Sequence, residues 1–482
     1  MRSIGQKSLD LLFLFVSKAG GVLVVLFFMP LFYRLLGVEQ FGVVAVILSL
    51  QAFLVMLDLG MSTLVGRDIA AFGRSSEDST KVWHNAEIVL SIFYLVILVV
   101  AAAWGGLESP AGLSGYATAA VAILFWLMIL QNIGQVVLLA TKSYKAASMI
   151  QLVGVLFRSI VTMLALQYIA ATLEVFILSQ LVAMFFQMLV TRRVCARGLA
   201  TLVHAKFDIV GCKKLLKRGK PLVVFGLAGA AAMQLDKPII ASLISSTEVA
   251  TYFLAVTFCM TPVAILAGPI SQYFQPNLIS LASQGDQRDI KELLSYFVVT
   301  MMLVTMLPSL VLWIYSKFWI GLWLHDAPGV NQVISYVSIL LPGAFIGALG
   351  FLPYAILTVQ QDYRFQAMIS LVMTIFVLLL VIYFANHHNV LAICWVYSLY
   401  HVASTAALWA RSIYLSEMSE YAKQALIISI KLFVLFSMVA SITKVFFSGV
   451  ESYMYEVTLF MLVMLMVGGV SLKVLIGTYK RA

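Results

Sequence analysis

Long apolar runs recur along the whole of this 482-residue sequence. A hydrocarbon core about 30 Å thick needs about 20 apolar residues of helix, and backbone polar groups in lipid must be satisfied within the segment. Strands of a membrane β-barrel would alternate apolar and polar residues, and these runs do not. The pattern predicts an all-α polytopic membrane protein with about fourteen transmembrane helices. The predicted spans are 9–33, 42–66, 83–104, 116–140, 146–169, 174–191, 220–244, 250–275, 292–315, 332–358, 363–385, 390–410, 424–446 and 455–476.

The charged residues predict the orientation of these spans. Only 11% of the residues are charged, against about 25% in a soluble domain. Loops on the cytoplasmic side retain Lys and Arg, and with the N-terminus inside only Arg34, Lys317 and Lys444 fall in external loops. Both termini are therefore predicted to be cytoplasmic. The net charge of +10 fits anionic membrane lipids as partners and requires no nucleic acid.

The longest connection is basic and predicts the domain organisation. It divides six spans from six spans and leaves two spans at the end, which suggests two halves that rock against each other, as in many transporters. The predicted domains are an N-terminal six-helix lobe at 1–191, a basic cytoplasmic linker at 192–219, a C-terminal six-helix lobe at 220–412 and two additional helices at 413–482.

The short connections bear on the function classes. No segment outside the spans is long enough for an ATP-hydrolysing domain, so energy is expected from an ion gradient or from the substrate's own gradient. The longest external loop, at about 316–331, is short for a polymerase or ligase. Neither a metal-ligand cluster nor a catalytic triad is evident from spacing. A membrane transporter rather than an enzyme is predicted.

Charged side chains inside spans are the strongest site candidates, because each costs about 2.5–3.5 kcal/mol at the centre of a bilayer helix. Lys18 and Arg158 lie deep in the first and fifth spans, and Gln151 shares a helix face with Arg158. Neighbouring spans add further amides. These are Gln131, Gln135 and Gln180. The surplus of cations favours an anionic ligand; an ion pair with Asp58, or hydrogen bonds between helices, are the structural alternatives.

The seventh span carries Asp236, Lys237 and Pro238 in succession. The two charged residues point about 100° apart on a helix, so each is expected to have its own partner. Pro238 removes a backbone hydrogen bond, which indicates a hinge or an ion site. Asp236 and Asp58 are the candidate proton or sodium sites, although Asp58 also fits a role at the helix terminus. Prolines in the eighth and tenth spans predict kinks there.

Several short motifs resemble a known family. The stretch Leu35-Leu-Gly37-Val-Glu39-Gln-Phe41-Gly42, followed by Leu57-Asp58-Leu-Gly60 and Arg67-Asp-Ile-Ala, resembles the opening of bacterial Wzx-type polysaccharide flippases. Gln234-Leu-Asp236-Lys237-Pro-Ile-Ile, with the later Gln275-Pro276, is similar to that family's seventh and eighth helices. These flippases belong to the multidrug/oligosaccharidyl-lipid/polysaccharide exporter superfamily. The resemblance is clearest over about residues 1–290.

The resemblance implies a fold and an activity. The fold is two six-helix lobes in a V, as in the multidrug exporters of the superfamily, plus two C-terminal helices. The activity is flipping of undecaprenyl-diphosphate-linked oligosaccharides of O-antigen, capsule or exopolysaccharide across the bacterial inner membrane by alternating access. Other membrane proteins of polysaccharide assembly are implied partners.

On this hypothesis Lys18, Arg158 and Lys237 neutralise the diphosphate or acidic sugars, and the glutamines replace water around the glycan. No cofactor is expected beyond a proton or sodium ion at Asp236. Three alternatives remain: a multidrug or small-molecule exporter, whose cavity should hold more carboxylates than bases; a lipid II flippase of the same superfamily; and a membrane polysaccharide polymerase or ligase.

Overall fold

The computed structural model of the protein describes residues 4–56, 58–73, 76–107, 115–199, 208–284, 287–325, 327–414, 418–447 and 453–479. Within these ranges every regular element is an α-helix. The helices are α1 (Ile4–Met56), α2 (Met61–Phe72), α3 (Glu77–Leu107), α4 (Gly115–Ala140), α5 (Tyr144–Tyr168), α6 (Leu173–Gly198), α7 (Ile209–Gln234), α8 (Asp236–Leu243), α9 (Ser246–Gln284), α10 (Gln287–Ile314), α11 (Ser316–Leu324), α12 (Val330–Leu349), α13 (Phe351–Val359), α14 (Tyr363–Asn386), α15 (Val390–Tyr414), α16 (Ser419–Phe447) and α17 (Tyr453–Tyr479).

The protein is an all-α polytopic membrane protein, and the predicted count of fourteen spans is approximate. In the described part of the chain, ten helices are long and apolar enough to cross a membrane, or eleven if one bent pair is counted. The difference has local causes. The first two predicted spans run together within Ala19–Val55, the seventh is broken into α7 and α8, and the last is a shorter apolar helix over Met454–Gly469.

Helix α1 continues through the predicted first external loop with a kink at Gly37. This glycine has φ 77° and ψ 169°, a conformation that disfavours any residue with a Cβ. Pro30 stays inside the helix seven residues earlier. The predicted second span ends sooner than expected because the chain turns at Leu59 and Gly60, which both have positive φ, and α2 follows as a separate twelve-residue helix.

The predicted proline kinks in the eighth and tenth spans are confirmed in part. Helix α9 bends by 41° between Ser246–Thr261 and Ile265–Ile279, beside Pro262. The tenth span breaks at Gly350, between α12 and α13, because Pro353 cannot donate to the carbonyl of Leu349. Pro342 remains inside α12. The break between α7 and α8 lies at Leu235, three residues before Pro238.

Two segments predicted as loops are largely helical. Much of the predicted basic linker, 192–219, continues α6 to Gly198 and begins α7 at Ile209. Asp208 caps α7 by accepting the backbone N–H groups of Val210 and Gly211. The predicted external loop at 316–331 contains α11. Lys and Arg are good helix formers, so charge alone does not end a helix where it leaves the hydrocarbon.

The helices form two compact units, Met1–Ala250 and Thr251–Ala482. In unit 1, α1 packs along α5, α4 packs on α3 and α6, and α7 packs on α1 and α3. In unit 2, α12 packs on α15, and α10 packs on α16 and α17 around a large apolar core that includes Phe297, Met302 and Phe436. The described residues 192–199 and 208–250 therefore belong to unit 1. The predicted lobe and linker boundaries at 191, 219 and 412 remain a prediction.

Candidate functional site

Helices α5 and α6 of unit 1 carry polar side chains at three successive levels of their contact. At the first, Gln187 Nε2 donates to the carbonyl oxygen of Ile150 at 3.3 Å. At the second, Arg158 Nη1 lies 3.7 Å from Met184 Sδ. At the third, Thr162 Oγ1 accepts hydrogen bonds from Gln180 and Ser179, both at 3.1 Å. On α6 the three levels are three and four residues apart, about one helical turn each, whereas on α5 Ile150 lies two turns before Arg158 and Thr162 one turn after it.

Arg158 is the positively charged residue among these three levels of contact between α5 and α6, which we call the ladder. It lies near the middle of the 25-residue α5, so it is near mid-membrane when the helix spans the bilayer. Among the described residues it has no carboxylate within ion-pair distance, and the Met184 sulfur is only a weak acceptor. A half-buried guanidinium without a carboxylate partner in the described part of the chain is suited to binding an anion bidentately.

The predicted glutamines fall into different environments. Gln180 is buried and bonded to Thr162 in the ladder. Gln135 on α4 donates to the carbonyl oxygen of Ala147 on α5 at 2.8 Å. Gln131, one turn away, is buried, and neither of its amide atoms has a hydrogen-bond partner among the described residues. Gln151 on α5 is half-buried. The structure thus brings Arg158 and Gln180 onto one helix pair and places Gln131 and Gln135 between α4 and its neighbours.

Asp236 and Lys237 form an ion pair with each other, so the expectation that their helix angle keeps them apart is corrected. Lys237 Nζ lies 2.9 Å from Asp236 Oδ1, and the two side chains are 4% and 1% exposed. The same ammonium donates to the carbonyl oxygen of Met233 at 2.8 Å, across the break between α7 and α8. The long Lys side chain spans the 100° between neighbours. Lys237 is therefore neutralised by Asp236 here, while its role in binding substrate remains a prediction.

Asp58 organises a helix start, the alternative role considered for it. Its carboxylate accepts the backbone N–H groups of Gly60 and Ser62, both at 2.9 Å, and so satisfies donors at the beginning of α2. No ion pair joins it to Arg158 in the described part of the chain. A role in ion coupling remains a prediction. The side chain of Lys18 lies outside the described residues.

The motif residues serve the architecture. Gln40 Oε1 accepts the backbone N–H of Leu173 at 2.9 Å and thereby caps α6. Gly42 lies against the backbone of Ser246, where a Cβ would clash with the carbonyl oxygen. Phe41 is fully buried against Tyr33. These contacts join the kink of α1 to the starts of α6 and α9.

Asp68 of the Arg-Asp motif forms a second structural contact. Arg218 on α7 binds its carboxylate through two nitrogens at 2.8 and 2.9 Å, and Arg67 approaches to 3.1 Å. Burial by itself raises the pKa of Asp68, but the hydrogen bonds and charges of Arg218 and Arg67 outweigh it and lower the pKa below 3.8. The contact ties α2 to α7 with an ionised carboxylate.

Unit 2 holds a charged cluster that the sequence analysis missed. Glu456 on α17 is buried, accepts a hydrogen bond from the Tyr315 hydroxyl at 3.0 Å and lies 3.6 Å from Lys444. The ammonium of Lys444 also stands 4.3 Å from the centre of the Tyr315 ring. An acidic residue close to the start of an apolar span, with a Lys shortly before it, is the signal that could have predicted the cluster. Three or more metal-ligating side chains are grouped nowhere in the described residues.

Comparison with known proteins places the chain in a family. Residues 31–327 match the model of a family described as polysaccharide biosynthesis protein. The chain belongs to this family. No curated protein matches the sequence.

Solved structures show the fold. The chain is similar to the lipid II flippase MurJ in an inward closed conformation, with a TM-score of 0.72 at 13% identity, covering 97% of this chain and 99% of that one. The chain is also similar to the MATE multidrug transporter DinF-BH, with a TM-score of 0.62 at 12% identity, covering 84% of this chain and 94% of that one. Its similarity to a MOP superfamily transporter from Pyrococcus furiosus has a TM-score of 0.58 at 13% identity, covering 88% of this chain and 96% of that one. The predicted family and the superfamily fold are confirmed.

Proposed function

We propose that the protein is a flippase that moves undecaprenyl-diphosphate-linked oligosaccharides from the cytoplasmic to the periplasmic leaflet of the bacterial inner membrane, with both termini in the cytoplasm. Membership of the polysaccharide biosynthesis family supports the pathway. The fold shared with a lipid II flippase and with multidrug transporters supports movement of a substrate rather than catalysis. Undecaprenyl-linked glycans combine an anionic diphosphate, a polar sugar chain and a lipid tail, and each part needs its own surface.

The observation that carries the proposal is Arg158, a cation near mid-membrane without a carboxylate partner among the described residues. A diphosphate that leaves water for the bilayer centre loses its hydration and needs positive charge there. The neighbouring Gln180 and Thr162 supply an amide and a hydroxyl that can exchange hydrogen bonds with a glycan. Lys237, held by Asp236, becomes available to an anion only when that carboxylate is protonated or binds a cation. This is the proposed connection between Asp236 and a proton or sodium gradient.

The test compares lipid-linked intermediates in cells that lack the gene and in complemented cells. Loss of the gene should leave undecaprenyl-diphosphate oligosaccharide in the cytoplasmic leaflet and remove surface polysaccharide. The wild-type gene should clear the accumulated intermediate and restore surface polysaccharide. Arg158→Gln, present in the membrane at equal abundance, should do neither. Lys431→Gln is the matched control, because Lys431 is an exposed cation of α16 in unit 2. Full complementation by Arg158→Gln would overturn the proposal.

One observation favours a multidrug exporter as the second candidate. Unit 1 contains a cavity of about 780 Å³ that Glu39, Gln40 and Glu174 help to line, and its described lining residues include no Lys or Arg. Carboxylates at a cavity wall suit a cationic drug better than a diphosphate. Deletion that leaves surface polysaccharide intact but makes cells sensitive to cationic drugs would favour this candidate.

A further inference from the structure

An apolar groove of about 450 Å³ lies between α5 and α6 of unit 1. Met149, Val153 and Phe157 line it from α5, and Phe186 and Val190 line it from α6. All five side chains are exposed, and the stripe of exposed apolar residues on α5 continues through Ile160 and Leu164. A surface that is apolar and exposed over so many turns of a membrane helix faces lipid tails rather than water.

The floor of the groove is fixed by a glycine. A Cβ on Gly154 would collide with the amide of Gln187, which is held by its bond to the carbonyl oxygen of Ile150. The close packing of α5 and α6 at this level therefore depends on Gly154. From Met149 to Phe157 the groove follows about 12 Å of helix, which is most of one leaflet of a hydrocarbon core about 30 Å thick.

The end of the groove that is predicted to be cytoplasmic is basic. Arg193 and Arg197 follow Val190 at i+3 and i+7, so both lie on the groove face of α6, and both are exposed. In the described part of the chain neither has a carboxylate within ion-pair distance. Arg192 differs, because it turns to the other side and lies 3.2 Å from Glu87. Two arginines four residues apart can each bind one phosphate of a diphosphate.

The opposite end of the groove leads to Arg158. This residue is one turn beyond Gly154 on α5, as Met184 is about one turn beyond Gln187 on α6. Cationic groups therefore stand at both ends of an apolar channel along the same helix pair. A lipid headgroup that leaves Arg193 and Arg197 along the groove would next meet Arg158, which lies on the same pair of helices.

We infer that this groove binds the isoprenoid chain of a polyprenyl diphosphate in the cytoplasmic leaflet, with the diphosphate against Arg193 and Arg197. This inference rests on the proposed function and names a loading position for its substrate. The charge of the two arginines matches a diphosphate, which carries at least two negative charges, better than a phosphatidylglycerol headgroup, which carries one. A polyprenyl lipid has one hydrocarbon chain, which matches one groove between two helices.

Photocrosslinking tests the inference in the full-length protein. A benzoylphenylalanine replaces Val190 in the groove or, as matched control, Val182 on the same helix; these valines are 49% and 51% exposed. The protein is reconstituted in vesicles of phosphatidylethanolamine and phosphatidylglycerol containing undecaprenyl diphosphate, irradiated and analysed by mass spectrometry. We expect an undecaprenyl diphosphate adduct from position 190 and not from position 182.

Charge variants then separate this site from general attraction to anionic lipid. Each of Arg193→Gln and Arg197→Gln should lower the adduct yield about tenfold, because one charge-assisted hydrogen bond corresponds to about a factor of ten or more in affinity. Arg192→Gln should leave the yield unchanged. Equal adducts at positions 190 and 182, adducts of phosphatidylglycerol that undecaprenyl diphosphate does not displace, or unchanged yields in both variants would each overturn the inference.

Flipping of an undecaprenyl-diphosphate-linked oligosaccharide, measured in vesicles of the same phospholipids, distinguishes the two proposals. Flipping by wild type without an adduct at position 190 overturns the loading position and leaves the proposed function standing. An adduct at position 190 without flipping supports the groove as a polyprenyl diphosphate site and overturns the proposed function. Val190→Trp, which fills the groove, should slow flipping, whereas Val182→Trp should not.

Discussion

The two units satisfy their buried polar side chains in different ways. In unit 1 the amides reach across helices, from Gln135 to α5 and from Gln180 to Thr162. In unit 2 many buried hydroxyls bond within their own helix, as Thr305 does to the carbonyl of Met301 and Thr374 to that of Ser370. A bond within one helix survives when helices move apart, whereas a bond between helices does not. Unit 1 therefore has amides that a ligand can take over when its helices rearrange. Unit 2 also has bonds between helices, as from Thr405 to the carbonyl of Ile346 and from Tyr315 to Glu456, so the two units differ in the proportion of such bonds.

The largest expected effect comes from the buried ion pair of unit 1. Lys237→Met should lower the free energy of unfolding by about 3–5 kcal/mol, because it leaves Asp236 charged and buried. The double variant Asp236→Asn with Lys237→Met should recover most of the loss. Unfolding in detergent, followed by circular dichroism, measures both.

Unit 2 offers the control for that experiment. Glu456→Gln should be milder, about 1–2 kcal/mol, because its partner Lys444 is 38% exposed and can remain solvated. If Lys237→Met and the double variant each lower the free energy of unfolding only slightly, and the effects of the two substitutions add, the buried pair behaves like a surface ion pair. The expected difference between the ion pairs of the two units would then be contradicted.

The second effect concerns transport. Arg158→Gln should lower flipping about 100-fold, equivalent to about 2.7 kcal/mol, since it removes the charge that faces the diphosphate. Arg158→Lys keeps the charge but loses the bidentate geometry, so about a tenfold decrease is expected. Reconstituted vesicles with a fluorescent lipid-linked sugar provide the measurement. Equal rates for wild type and Arg158→Gln would show that the unpaired guanidinium is structural.

The third prediction tests the hydrogen bonds directly. Gln180→Leu breaks a bond between α5 and α6 and should lower the free energy of unfolding by about 1–2 kcal/mol. Thr305→Val removes the bond of a buried hydroxyl to the carbonyl of Met301 within α10 and should change stability by about 0.5 kcal/mol or less. Equal losses in the two variants would contradict the distinction between the units. Thermal unfolding in the same detergent measures both.

The smallest effect is a pH dependence at the contact between α2 and α7. Because the folded pKa of Asp68 is lowered, its ion pairs stabilise the protein above its ordinary pKa of 3.8 and are lost as the pH falls through the folded value. Asp68→Asn should lower the free energy of unfolding by about 1 kcal/mol at pH 7, a modest value because the side chain of Arg218 is 34% exposed. The difference from wild type should shrink below pH 3.8, and a difference independent of pH would indicate lost packing instead.

Hydropathy was enough to predict the class of fold, because apolar length is a property of each segment alone. Kinks were predicted from proline, and α9 bends beside Pro262 while the tenth span breaks close to Pro353. The turn through positive φ at Leu59 and Gly60 was not predicted. The helical ends of α6 and α7 were missed because basic residues continue a helix beyond the hydrocarbon.

The candidate site was less predictable for a geometric reason. Arg158 and Gln180 could be chosen by depth and residue type, yet their shared helix pair depends on how α5 and α6 pack. The pairing of Asp236 with Lys237 was excluded by helix angle alone, since that argument ignores the reach of a Lys side chain. Glu456 was missed because a residue near a span end resembles an ordinary interfacial acid.

The contacts of Gln40 and Gly42 have a consequence for how such proteins diversify. Residues that make the family visible in the sequence hold the kink of α1 against the starts of α6 and α9, and they touch neither Arg158 nor the groove. Cargo preference can therefore change through a few substitutions on α5 and α6 while the signature stays intact. On the proposed function, sequence searches that depend on the signature will group flippases of different glycans together, and the residues at 158, 180, 193 and 197 are the positions at which we expect them to differ.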